Sequence, residues 1–223
     1  MTDILSTIGP TTENIQNLKK IVSNTKFVRL NGAHNNLKWH YKICNLIKKL
    51  NPNCQILIDL PGIKPRTMNS KEIFIKKNEL VMFFFDKKSA YKNIKKIQIS
   101  KPLPKFSKPK NFSVSDGKYI FKFISRTKNY IIGKSNENFT LKNKKGLNIP
   151  HSIYDNKSQE RVYLKFLKKI EKFKFDAIGL SYVQNHQLVN KMRLKSDKII
   201  VSKIENEQGC KNLNLICKNS DII

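Results

Sequence analysis

Lys203 and Glu205 stand two residues apart where a short apolar, β-branched run, Ile199, Ile200 and Val201, gives way to polar residues. Such a run reads as a buried strand. Strand residues alternate faces, so the lysine and the glutamate point the same way. At the C-terminal tip of a parallel strand that pair is active-site equipment. The carboxylate can hold a divalent metal, and the ammonium can neutralise developing anionic charge. A surface ion pair at a strand end has the same spacing and contributes little, so the elements around the pair have to decide.

Those elements alternate. Residues 4–8 form a first strand closed by Gly9 and Pro10. Thr11, Thr12 and Glu13 then cap a helix with Ile15, Leu18, Ile21 and Val22 on one face. A second strand at 27–31 ends in Gly32, Ala33 and His34. A second helix carries Leu37, Tyr41, Cys44, Ile47 and Leu50 at three- and four-residue steps. A third strand at 55–59 runs into Leu60, Pro61 and Gly62. From about 68 to 143 the helical period disappears. Short β-like runs at 73–75, 80–85, 119–123 and 130–132 are separated by Lys, Asn, Pro and Ser, with a loop at 101–110 and a turn at Ser115, Asp116 and Gly117. The βα pattern then resumes with an amphipathic helix over 157–173 (Val162, Phe166, Leu167, Ile170, Phe173) and a strand over 176–183. A helix near 187–195 follows, then the strand ending at Lys203 and Glu205, a helix over 210–218 and the opening of a sixth strand at 220–223. The fold read from this order is α/β: an incomplete TIM (β/α)8 barrel of about five strands with an inserted small β-barrel-like domain. The boundaries are 1–67, 68–143 and 144–223.

Gly133, Lys134 and Ser135 resemble the end of a phosphate loop, but the first glycine of that motif falls on Lys128. Cys44, Cys54, Cys210 and Cys217 form no C-x-x-C and read as reduced thiols, mostly core filler. The four histidines do not cluster, and no zinc site is expected. No apolar stretch approaches ~20 residues, so no membrane span is expected. With no signal-peptide pattern at the start, a cytoplasmic location is expected. The net charge of +28 suggests nucleic acid. Only five of the cations are arginines, however, and the lysines run through the whole chain, so specific nucleic-acid binding is not expected. Weak, salt-sensitive binding to polyanions is.

The strand ends together are similar to one family. The chain resembles the N-terminal part of pyruvate kinase over essentially its whole length. The matching motifs are Thr7-Ile8-Gly9-Pro10; Arg29-Leu30-Asn31 with His34; and Asp59-Leu60 with Gly62, Lys64 and Arg66-Thr67. After the insertion come Lys145-Gly146-Leu147-Asn148-Ile149-Pro150, Ser181-Tyr182-Val183, and Lys203-Ile204-Glu205-Asn206 with Gly209. The inserted β domain sits where that family carries its lid.

The resemblance implies conversion of phosphoenolpyruvate and ADP to pyruvate and ATP in glycolysis, with Mg2+ or Mn2+ as cofactor. Phosphoryl transfer asks mainly for positioned cations. By position, Lys203 matches the lysine that stabilises the transferring group and the enolate, and Arg29 the arginine that grips the phosphate. Glu205 matches one of two metal carboxylates, the other lying in a Gly-Asp-Leu-Gly turn after the sixth strand. His34 and Arg66 match the nucleotide side, Ser181 and Tyr182 a Ser-Phe pair near substrate, and Asn31 and Asp59 ligands of the monovalent cation. Ala33, Leu60 and Lys64 replace the serine, threonine and glutamate of potassium-dependent members. Lys64 is expected to act as cation substitute, leaving K+ dispensable, although Thr67 does not follow that subtype. Gln184 replaces a common basic residue. The chain ends before the second metal carboxylate, so it is expected to be a fragment of a longer product, homo-oligomeric at full length. Three alternatives stay open: a catalytically incomplete binding or assembly module, another phosphoenolpyruvate-type barrel such as an aldolase, and a polyanion binder.

Overall fold

The computed structural model describes residues 3–85 and 94–223. They divide into two compact units, Met1–Gly62 with Asp155–Ile223, and Ile63–Tyr154.

The first unit opens with β1 (Leu5–Thr7), α1 (Ile15–Asn24), β2 (Phe27–Asn31), α2 (Leu37–Leu50) and β3 (Gln55–Leu60). The cap of α1 is Asn14, whose side chain accepts from the Asn17 N–H. Thr12 instead closes a turn, its hydroxyl accepting from the Gly9 N–H at 2.9 Å. The expected Thr-Thr-Glu cap is thus replaced by a better one, because asparagine's short amide reaches the orphan N–H groups of the first turn. On α2 the buried residues His40, Ile43, Cys44 and Ile47 form the stripe that three- and four-residue spacing requires.

The second unit is β4 (Ile73–Ile75), β5 (Leu80–Phe84), β6 (Lys95–Gln98), β7 (Asn111–Val114), β8 (Tyr119–Arg126), β9 (Tyr130–Ser135), β10 (Phe139–Leu141) and β11 (Leu147–Asn148). These form a six-stranded sheet, β11-β7-β8-β9-β5-β6, and a β10-β4 pair. Its core is aromatic: Phe112 and Phe121 stack at 5.3 Å, and Phe83 meets each edge-on. Gly133 lies in β9, where a β-carbon would fall 2.5 Å from the Phe112 ring. The phosphate-loop look-alike is therefore a packed strand. Four strands, β6, β7, β10 and β11, carry too few apolar residues to have been read from sequence. The unit extends past both ends of 68–143, since Thr67 pairs with Lys145 and Lys105 with Ile153 through their backbones.

The chain re-enters the first unit with α3 (Asn156–Ile170), β12 (Ala177–Leu180), α4 (His186–Arg193), β13 (Ile199–Ser202), α5 (Glu207–Lys211) and α6 (Leu213–Asn219). The sheet order is β1-β2-β3-β12-β13, all parallel. Val201 bridges Ile222 in parallel, which is the start of pairing expected at 220–223. The helix expected at 210–218 is two helices, broken at Asn212, whose side-chain amide donates to the Gln184 carbonyl at 2.7 Å. β13 stops at Ser202, where its β12 partner Leu180 ends the ladder. Lys203 and Glu205 therefore lie just beyond the strand. Two cysteines fill the core, Cys44 and Cys54, while Cys210 and Cys217 are exposed. Burial pushes the Cys44 thiol up to about 12.

Candidate active site at the strand tips

The cluster is built around one buried carboxylate. Asp59, one residue from the end of β3, is 3% exposed. Its Oδ2 accepts from Arg29 Nε at 2.7 Å and pairs with Arg29 Nη2 at 2.5 Å. The same oxygen accepts from Lys203 Nζ at 3.1 Å. Arg29 Nη1 donates to Thr7 Oγ1 at 3.1 Å. Lys203 Nζ also donates to Ser181 Oγ at 3.3 Å and lies 3.8 Å from Glu205 Oε1. Ser181 Oγ donates to the Leu60 carbonyl at 3.1 Å. Thr7 ends β1, Arg29 lies in β2 and Asp59 in β3, while Ser181 follows β12 and Lys203 follows β13. All five strands deliver a residue, and the C-terminal tips hold the chemistry, as in parallel α/β sheets generally.

Register explains why a buried acid is possible here. Gly179 on β12 pairs with Asp59 on β3. A β-carbon at Gly179 would collide with Asp59 Oδ1. That oxygen is buried and has no hydrogen-bond partner among the described residues. Two cations share Oδ2, so the carboxylate charge is compensated without it.

The loops after β12 and β13 are tied together. The Lys203 N–H donates to the Leu180 carbonyl, and the Val183 N–H to the Lys203 carbonyl. The Tyr182 N–H donates to Glu205 Oε2 at 2.9 Å, and Tyr182 has a left-handed backbone, φ 57°. The carbonyl of the same peptide, from Ser181, accepts from the Tyr163 hydroxyl and from Gln159 Nε2 at 3.2 Å. Burial, reinforced by the negative Glu205 and Asp59, pushes the Tyr163 phenol above its ordinary range and keeps it a donor. Gln184 is structural: its Nε2 donates to Asn156 Oδ1 and its Oε1 accepts from Asn206 Nδ2, both at 3.1 Å.

The structure thus brings together Arg29, Asp59, Ser181, Lys203 and Glu205, with the Tyr182 backbone. Asn31 is the register partner of Asp59, but its Oδ1 accepts from the Ala33 N–H at 3.0 Å. The His34 N–H donates to the Asn31 carbonyl at 3.0 Å. A cavity of about 730 Å³, lined by Gly32, Asn35, Asn36, Lys38, His40 and Phe166, opens beside this end of β2. Arg66 and Lys64 belong to the second unit. Arg66 Nη1 donates to the Lys144 carbonyl at 3.1 Å, and the Lys64 ammonium lies 3.5 Å from Asp116 Oδ1. Thr7 was named only as part of the first motif, and three contributors escaped the sequence reading: Gly179, Gln159 and Tyr163. The signal for the last two was a glutamine and a tyrosine four residues apart on one helix face.

Among the described residues no three His, Cys, Asp or Glu side chains group as a metal site. Glu205 nevertheless fits Mg2+ or Mn2+, which bind through one or two carboxylates with substrate phosphate oxygens and water completing the shell. One of its oxygens is fixed by the Tyr182 N–H, while the other faces Lys203. The orphan Asp59 Oδ1 fits a small cation as a hard oxygen lacking a partner.

The pyruvate kinase barrel-domain model matches residues 1–223. The chain is 29% identical to a pyruvate kinase of Methanocaldococcus jannaschii, covering 99% of this chain and 47% of that protein. It is 26% identical to that of Thermoplasma acidophilum, over 99% and 40%, and 27% identical to that of Thermococcus litoralis, over 99% and 49%. It thus spans about half the length of these curated relatives. On a match that covers every residue, the chain belongs to the pyruvate kinase family through its barrel domain.

Proposed function

We propose that the protein transfers a phosphoryl group between phosphoenolpyruvate and ADP, forming pyruvate and ATP. The observation that carries this reading is the convergence of Arg29 and Lys203 on Asp59 Oδ2, with Glu205 alongside. Phosphoryl transfer needs charge held in place more than it needs covalent chemistry. Asp59 holds the Arg29 guanidinium through its Nε–Nη2 edge, which orients the opposite Nη1–Nη2 edge to receive phosphate oxygens. Lys203, pinned by Asp59 and Ser181, places its ammonium to stabilise the transferring group and the enolate left behind. A divalent metal held by Glu205 supplies charge neutralisation on the phosphate when bound.

The remaining assignments rest on the family. His34 and Arg66 bind nucleotide, and a cavity lies beside the His34 loop. Asn31 and Asp59 form the monovalent cation site, Lys64 serves as cation substitute, and Tyr182 flanks the substrate. Residues 68–143 act as the lid. The protein works in the cytoplasm, in glycolysis, as a homo-oligomer; no described helix is long and apolar enough to cross a membrane.

A lactate dehydrogenase-coupled assay of the purified chain with phosphoenolpyruvate, ADP and Mg2+ tests the reaction. Pyruvate formation that requires both substrates and disappears in Lys203→Ala is expected. Phosphoenolpyruvate binding without turnover would replace this reading with that of a binding module, and absence of both would end it.

A further inference from the structure

One peptide unit lies between a buried helix face and the proposed metal carboxylate. The Ser181 carbonyl points toward α3 and accepts from Tyr163 and Gln159. The Tyr182 N–H on the other side of that peptide points to Glu205 Oε2 at 2.9 Å. Tyr163 is 0% exposed and Gln159 1%, so both spend polar groups in the core of the first unit. Buried polar groups are retained where they find partners, and here both side chains donate to one carbonyl. Tyr182 is held at φ 57°, a conformation that a residue with a large side chain seldom adopts. The hydrogen bonds on the two sides of the peptide fix it there.

Rotating that peptide by half a turn would aim the Ser181 carbonyl at Glu205, oxygen against carboxylate. It would also leave the Tyr163 hydroxyl and the Gln159 amide without their acceptor. We infer that Tyr163 and Gln159 are positioning residues for Glu205, acting through the Ser181–Tyr182 peptide. By holding the carbonyl they aim the N–H at Oε2, and by occupying Oε2 the N–H turns Oε1 toward Lys203 and the metal position. Groups that orient a metal ligand from behind commonly govern affinity by 10–100-fold. The metal part of this inference rests on the proposed function; the orientation of Glu205 does not.

Two measurements on the full chain test it. The first is Mn2+ affinity by electron paramagnetic resonance, for the wild type, Tyr163→Phe, Gln159→Leu, Glu205→Gln and Ile170→Val. Tyr163→Phe removes one oxygen and keeps the ring packed. It is expected to weaken Mn2+ about 10-fold, approaching the loss in Glu205→Gln. Ile170→Val, on the same buried helix face, should lower the melting temperature and leave Mn2+ affinity unchanged. The second is amide exchange at Tyr182 by NMR without metal, which should rise at least about 10-fold in Tyr163→Phe while the Leu180 and Val201 amides stay protected. Wild-type exchange at Tyr182 in Tyr163→Phe would overturn the inference. Faster exchange there, combined with Mn2+ binding indifferent to Glu205→Gln, would instead uphold the positioning role and remove the metal reading.

Discussion

Lys203 has two anchors and one task. Asp59 Oδ2 and Ser181 Oγ hold its ammonium; its side chain is 29% exposed, and Arg29 stays paired with Asp59 when it is removed. Lys203→Ala should therefore remove transition-state charge without unfolding the chain. The expected loss is at least about 10²–10³-fold in kcat with KM little changed, read in the coupled assay. A near-wild-type rate would remove the role assigned to it. The same carboxylate bears on the monovalent ion. Arg29 and Lys203 already compensate Asp59. Activity should therefore persist when K+ is replaced by tetramethylammonium, and a strict K+ requirement would refute this. Lys203 and Glu205 were legible because charged residues directly after an apolar run mark a strand tip, and Arg29 and Asp59 because they stand in motifs of the family the chain resembles. Gly179 was not, because a glycine's role in making room for Oδ1 depends on which strand lies beside it. Tyr163 and Gln159 were missed because the stripe drawn through Val162 and Phe166 counted apolar residues alone.

Helix α3 shows what that omission means for an element. Its fully buried residues are Gln159, Tyr163 and Ile170, so the inward face is turned toward the polar pair. Phe166 and Leu167 are only partly buried against the core. The helix carries a site function on its first two turns and a packing function on the rest. Its start therefore has to be fixed. Asp155 does this, its Oδ2 accepting from the Ser158 N–H at 2.8 Å. Hydrogen bonds from the Ser158 side chain and backbone hold the Asp155 carboxyl below its usual range. A depressed carboxylate contributes stability above its unfolded value and loses it as pH falls through its folded one. At pH 7, Asp155→Ala should be about 1 kcal/mol less stable. The gap should hold down to about pH 4 and then close with further acidification. Urea unfolding of both proteins between pH 7 and 2.5 measures it, and a gap that persists at the acid end would show that the cap does not depend on charge. The helices and central strands were legible because their periods are long. β6, β7, β10 and β11 were not, since their apolar residues stand singly between polar ones and form no run of the kind that marks β4 and β13, which are as short.

At the scale of the whole molecule two forces oppose each other. The chain carries 44 lysines and arginines against 16 acids, a net charge of +28. Like charges at that density repel other copies. Yet β1, paired among the described residues with β2 alone, leaves Ile4 67% and Leu5 47% exposed. Uncovered apolar strand edges pair with whatever reaches them. The repulsion spans ~30 Å at 0.01 M salt and ~8 Å at 0.15 M, whereas apolar burial needs contact and is not screened. Salt should therefore tip the balance. Sedimentation velocity is expected to show a dispersed chain at 10 mM NaCl and growing self-association by 300 mM, reduced in Leu5→Lys. Association that weakens with salt would mean that charge, not the sheet edge, joins the copies, and a monomer throughout would show that this edge is not adhesive. The charge was legible from composition alone, and an open sheet edge from reading an incomplete barrel of about five strands; which residues lie on that edge was not. Residues 4 and 5 read as an ordinary strand until the sheet order put them on an edge.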